Sequence, residues 1–335
     1  MDAKRASQVR GKSEVKVSIV IPTKNAGSIL IKVLDVLTRQ DAPWPYEILA
    51  VDSGSVDGTV DVIKSYPSVR LIEIPAKEFG HGKTRNFAIE NTGGEFIAMI
   101  TQDALPQDVH WLRNFVSVIE QDSRIAGVFG RHIAYPEASP FTRIELEQHF
   151  SGFLAQPVVY LDDENRYGSD EDYRQYLYFF SDNNALLRRS VWDSIPYPEI
   201  DFAEDQAWAK LIIEAGYWKA YAHDAVVYHS HDYGFLERLQ RGFDESYALK
   251  RIFSYQRGFG LYALLRSFVG ITLRDFKVAL RHGLLKSDLR HVLRMPLDNL
   301  MRVLGSYLGV NGRRIPQCIR VRLSRDKKLM LATKG

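Results

Sequence analysis

Four short β-branched runs set the terms for any fold of this chain: V-K-V-S-I-V-I-P (15–22), E-I-L-A-V-D (47–52), V-R-L-I-E-I (69–74) and E-F-I-A-M-I (95–100). The segments between them, 27–40, 57–66 and 83–91, carry helix-compatible spacing. Strands that alternate with helices predict a largely parallel sheet whose ligand site lies outside the strands' carboxyl ends. Polar clusters stand at three of those ends: Pro22-Thr23-Lys24-Asn25, Asp52-Ser53-Gly54-Ser55 and Thr101-Gln102-Asp103. All three converge on one edge.

Beyond residue 130 the pattern loosens through an aromatic, acidic stretch (150–180). A helix candidate follows over 204–215, then an apolar run (220–228) that ends in His229-Ser230-His231-Asp232. From Phe235 the chain reads as basic helices. Residues 1–235 hold 23 Lys/Arg against 34 Asp/Glu, while residues 236–335 hold 21 against 7, so charge as well as pattern changes there. The expected division is a flexible N-terminus (1–14), a catalytic α/β domain (15–235) and a basic helical region (236–335). With 335 residues and 45% apolar composition a sizeable core is available.

The basic region suits nucleic acid, an anionic membrane surface or an acidic protein. No nucleic-acid motif accompanies the charge. The lone Cys318 excludes an internal disulfide and a multi-cysteine metal site. Residues 1–16 lack an apolar signal core, which predicts a chain kept inside the cell. The apolar stretch Phe259–Leu273 is too short to span a bilayer and contains Arg266.

Two familiar phosphate-binding motifs are missing. A dinucleotide-binding turn needs G-x-G-x-x-G after the first strand, where this chain has P-T-K-N-A-G. G-H-G-K-T (80–84) ends like a P-loop, but the required earlier glycine is Lys77.

The remaining candidates each carry a structural and a chemical reading. Asp52 either joins a turn or accepts hydrogen bonds from a base or sugar, with Ser55 or Asp57 capping the next helix. Lys83 and Arg85 open a helix after a glycine-rich loop, where dipole and charge together suit a diphosphate. Asp103 with a histidine of His229-x-His231 can hold Mg²⁺ or Mn²⁺. On an extended segment the two histidines point to opposite faces, so His229 alone is expected at the metal. Glu204-Asp205 opens a helix, either as caps or with Asp205 as a general base walled by Trp208.

V-S-I-V-I-P-T-K-N, A-V-D-S-G-S-V-D-G-T, G-K-T-R-N, T-Q-D-A, S-D-N-N-A-L-L-R-R-S-V-W and F-A-E-D-Q-A-W, in that order over about residues 15–231, resemble the family 2 inverting glycosyltransferases of GT-A fold. T-Q-D-A-L-P, D-S-G-S and H-S-H look like the bacterial dTDP-rhamnosyltransferases of surface-polysaccharide synthesis. The resemblance implies a mixed, mostly parallel sheet flanked by helices, with the basic helical extension behind it. It implies that Pro22, Thr23 and Asn25, with Ser53 beside them, line the nucleotide pocket, that Asp52 reads the base, and that Lys83 and Arg85 approach the diphosphate. Gln102-Asp103-Ala104 stands where the family has its D-x-D signature, which leaves Asp103 as the main carboxylate on a divalent cation. Asp182, Asn183 and Asn184 fall at the acceptor side with Glu204 and Trp208, and Asp205 matches the base.

The implied reaction moves L-rhamnose from dTDP-β-L-rhamnose to a hydroxyl of a glycan or lipid-linked glycan acceptor, on the inner face of the cytoplasmic membrane. Apolar Phe259, Leu261, Leu264, Leu265 and Phe268 among arginines suit peripheral membrane contact; a solvated helical subdomain or a homo-oligomer interface are the alternatives. A UDP-hexose donor, or a sugar-nucleotide-binding protein without turnover, are the competing functions.

Overall fold

A computed structural model describes residues 15–255 and 260–326. Its strands are β1 (Val17–Thr23), β2 (Tyr46–Asp52), β3 (Val69–Glu73), β4 (Phe96–Ile100), β5 (Leu105–Pro106), β6 (Ile125–Ile133), β7 (Val158–Val159), β8 (Asn184–Arg188) and β9 (Trp218–Tyr228). They form one mixed sheet in the order β3-β2-β1-β4-β8-β6-β9-β5, with β7 on β9. The first four strands in this order run parallel, β8 is antiparallel to both neighbours, and β6 and β9 are again parallel. The four runs read from sequence are thus β1 to β4. The apolar run 220–228 is the greater part of β9, whereas β5 to β8 were not read from the sequence.

The interior strands are apolar throughout because both faces are covered. Val17, Ile19 and Ile21 pack on one face against Leu30, Val33, Leu34 and Leu37 of the helix Ile29–Leu37 and against Trp111 and Phe115. Val20, Leu49 and Val51 face the other way, toward Ala88, Ile89, Trp192 and Trp208. A side chain of this size gains about 1.5–3 kcal/mol by leaving water, so register is firmly set.

The region after β9 is helical: Phe235–Phe253, Leu261–Arg281, Leu284–Ser287, Leu289–Val310 and Gln317–Leu323. Two of these helices cross at backbone contact. A Cβ on Gly305 would lie 2.1 Å from the Leu239 carbonyl oxygen, and one on Gly309 2.4 Å from that of Phe243. Phe259 and residues 1–14, named among the expectations, lie outside the described residues.

Candidate active site

The loops after β1 and β2 are zipped together. Asp52 is fully buried; its Oδ1 accepts from the Gly54 and Ser55 amides (2.9 and 2.8 Å), and its Oδ2 from the hydroxyls of Thr23 (3.0 Å) and Ser55 (2.5 Å). Gly54, at φ +83°, makes the turn that brings those amides round. Asp57, not Ser55, opens the next helix by accepting from the Thr59 amide at 3.1 Å. Ser53 donates to the Thr23 carbonyl (3.1 Å), and Asn25 accepts from the Val56 amide (2.9 Å). The expected base reader Asp52 is therefore a saturated loop organiser, because protein donors fill both its oxygens. Of this group Pro22 and Thr23 line the cavity, whereas Asn25, Asp52 and Ser53 do not. Gln102 also lines it, with its amide paired to the Lys24 backbone at 2.7 and 3.1 Å.

That cavity, of about 720 Å³, opens at the strand ends and contains Arg85, Asp103, Asn183, Glu204 and Asp205. Arg85, on the helix His81–Glu90, is buried and pairs with Asp182 (Nε to Oδ2, 2.9 Å) and Glu204 (Nη1 to Oε1, 2.5 Å). Burial opposes its charge, but Glu204 and Asp182 together hold it protonated. Arg85, expected at a diphosphate, thus reaches the cavity with acids on its Nε and Nη1. Lys83 is exposed on the same helix and outside the cavity.

Asp182 also accepts from the Tyr197 hydroxyl at 2.7 Å, and its carboxyl is pushed above the usual range by burial, with Arg85 opposing. Asp205 stands in the first turn of the helix Glu204–Glu214, accepting from the Gln206 amide (2.7 Å) and the Asp182 amide (3.3 Å). Burial and then the neighbouring Glu204 push its carboxyl up to about 7. Ala203, at φ +54°, gives the sharp entry to this helix, a strained conformation for a residue with a Cβ.

Asp103 meets both histidines. His229 Nε2 lies 3.7 Å from its Oδ1 and His231 Nε2 3.4 Å from its Oδ2. The antiparallel pairing of Leu105 with Tyr228 brings the two loops side by side. The alternation rule fails because β9 stops at Tyr228, so His229 and His231 are not on a strand. Burial drops His229 to about 4, with His231 adding to and Asp103 opposing the shift, so its imidazole is neutral and offers a lone pair. One carboxylate and two imidazoles, with ligand atoms all within 4.8 Å of one another, fit a divalent cation.

Two expected contacts belong to the interior. Trp208 is fully buried and donates to the Ile195 carbonyl at 2.8 Å; its helical position turns it into the core rather than over Asp205. Asn184 spends its amide on the carbonyls of Arg131 (3.1 Å) and Ala225 (2.8 Å) and accepts from Trp111 at 2.7 Å. Conversely, one wall was missed altogether: Arg241, Asp244, Glu245, Arg325 and Asp326 line the cavity from the C-terminal helical region. Asp244 anchors this wall by accepting from the Ser324 hydroxyl (2.5 Å) and the amides of Arg325 (2.8 Å) and Asp326 (3.0 Å). No local pattern signals it, because the partners come from distant helices.

A cavity at the strand ends that holds a carboxyl poised near neutrality and an acid–imidazole triad fitted to a divalent cation suits metal-assisted group transfer. Residues 18–196 match the family Glycosyl transferase family 2, and the chain belongs to it as a glycosyltransferase of GT-A fold. It is 34% identical over 233 residues to the O-antigen chain rhamnosyltransferase RfbN of Salmonella typhimurium, covering 69% of this chain and 71% of that one. To the O-antigen chain rhamnosyltransferase WbaN of Salmonella anatum it is 30% identical, covering 68% and 70%. The fold is shared with the mannosyltransferase PcManGT of Pyrobaculum calidifontis, solved with GDP-Man and Mn²⁺ (TM-score 0.57, 17% identity, 90% and 87% covered). It is shared too with S. aureus TarS bound to UDP-GlcNAc (TM-score 0.53, 16% identity, 90% and 92% covered).

Proposed function

We propose that the chain transfers L-rhamnose from dTDP-β-L-rhamnose, with inversion, to a hydroxyl of a lipid-linked glycan in bacterial surface-polysaccharide synthesis. The observation that carries the chemistry is Asp205, lining the cavity with its carboxyl near 7. In one displacement the acceptor oxygen bonds to the anomeric carbon as its proton passes to Asp205. The anomeric bond to the diphosphate breaks on the opposite face, its electron pair leaving with dTDP. An α-L-rhamnoside results. Asp103, His229 and His231 would hold Mg²⁺ or Mn²⁺, which when bound supplies positive charge to the departing diphosphate. Rhamnose as the transferred sugar is supported by the names of the two Salmonella relatives.

Incubation with dTDP-rhamnose, UDP-glucose, UDP-galactose and UDP-N-acetylglucosamine, with and without each metal, tests this reading through release of the nucleoside diphosphate. Release from dTDP-rhamnose with metal is expected; release from a UDP-sugar alone would overturn the rhamnosyl assignment.

A lipid-linked acceptor would put the reaction at the inner face of the cytoplasmic membrane. Among the described residues no helix is long and apolar enough to cross a bilayer. The helix Leu261–Arg281 instead turns Leu265, Val269, Leu273 and Leu280 outward, each more than half exposed, beside Arg266, Arg274, Lys277 and Arg281. Such a face suits anionic headgroups, whereas a second copy would bring like charges together. Leu264 and Phe268 are half-buried and contribute less. Flotation with phosphatidylglycerol vesicles but not with pure phosphatidylcholine is expected; equal failure on both would refute peripheral contact.

A further inference from the structure

A donor's diphosphate needs positive charge in a cavity walled by Asp103, Glu204 and Asp205, and most of the cations there are already engaged. Arg85 is held by Asp182 and Glu204. The ammonium of Lys24 donates to the carbonyls of Ser53 (2.9 Å) and Gly54. Arg325 leans over the Tyr233 ring, 5.4 Å from its centroid, with Glu237 at 3.9 Å.

Arg241 differs. It projects from the helix Phe235–Phe253 into the same cavity as Asp103, exposed, and among the described residues its guanidinium forms neither a hydrogen bond nor an ion pair. The Phe202 ring supports it at 5.0 Å from centroid to guanidinium carbon. A planar guanidinium resting on an aromatic face keeps its donors free and oriented, and its fork matches two phosphate oxygens at once. Resting on the nucleotide-sugar reading of this cavity, we propose that Arg241 is the diphosphate-binding residue, reaching the donor from the helix Phe235–Phe253. The C-terminal helices would then supply part of the donor site.

Calorimetric titration of the full chain with dTDP, UDP, GDP and thymidine, as wild type, Arg241→Ala and Arg241→Lys, tests the assignment. Loss of a charge-assisted contact should weaken the preferred diphosphate roughly 10- to 100-fold in Arg241→Ala, leave thymidine unchanged, and be partly restored in Arg241→Lys. The melting temperature of the free enzyme should change little, because the side chain is exposed and its contact within the fold is the Phe202 ring. If Arg241→Ala binds the diphosphate as wild type does, or loses thymidine equally, the assignment is overturned. If the wild type binds none of the diphosphates, the nucleotide-sugar reading itself falls, and Arg241 with it.

Discussion

Arg85 and Glu204 meet at 2.5 Å, both almost wholly out of water, and Glu204 is the residue immediately before the proposed base. The pair fixes the start of the helix that carries Asp205, and its positive member also tempers the negative charge around that carboxyl. Arg85→Met would strand Glu204 and Asp182 as buried acids without a counter-charge. Breaking such a pair from one side costs about 3–5 kcal/mol. Denaturant unfolding should show a loss of that order. Because Arg85 holds the Asp205 carboxyl down, its removal should also move the acid limb of the rate profile to higher pH.

Asp205 itself makes a two-sided prediction. As a base it must be ionised, so kcat/KM should fall about tenfold per unit as pH drops below 7. Asp205→Asn should lose about 10²- to 10⁴-fold in kcat while remaining folded, and wild-type turnover in that variant would remove the base assignment. Stability should respond in the opposite sense. The folded carboxyl near 7 lies above its unfolded value of about 3.9, so its contribution is present at low pH and disappears as pH rises through 7. Asp205→Asn should flatten that decline, measured as melting temperature between pH 5 and 8.

Trp208 separates a core residue from a substrate contact. Its indole packs against Phe180 and Tyr197, with centroids at 5.4 and 5.6 Å, fully buried and behind the residues that line the cavity. Trp208→Ala should therefore cost about 3–5 kcal/mol of stability. Variants that stay folded at low temperature should keep the wild-type donor KM, whereas a selective rise in KM would restore Trp208 to the site.

These cases show what the sequence could carry. β1 to β4 were legible because strands covered on both faces read as unbroken β-branched runs, and the loops after them had to be polar. Asp103 and Asp205 could be singled out in the sequence because one stands in the loop after β4 and the other in the first turn of a helix, and both line the cavity. Trp208 and Asn184 turn inward for a shared reason: residue type and position in a helix or strand do not reveal which way a side chain faces, and distant partners such as Ile195 and Ala225 decide it. Arg241 was invisible because its importance depends on other cations being consumed. The two histidines were mispaired because β9 ends one residue before His229.

That last correction yields a prediction about metal. Asp103 is a single negative charge facing two imidazoles, so the protein alone offers little to a dication, and diphosphate oxygens must complete the binding. Titration of the free enzyme with Mn²⁺ should give weak binding that strengthens when dTDP is present. Since His231 Nε2 is as near to Asp103 as His229 Nε2, at 3.4 against 3.7 Å, His231→Ala and His229→Ala should weaken Mn²⁺ in the presence of dTDP to similar extents. Each loss should be at least on the order of tenfold, since changing even a residue behind a ligand costs that much. Asp103→Asn should lose more, because it removes the only charge. Tight Mn²⁺ binding by the free enzyme, or a His231→Ala variant that binds as the wild type does, would contradict a three-residue site completed by the nucleotide.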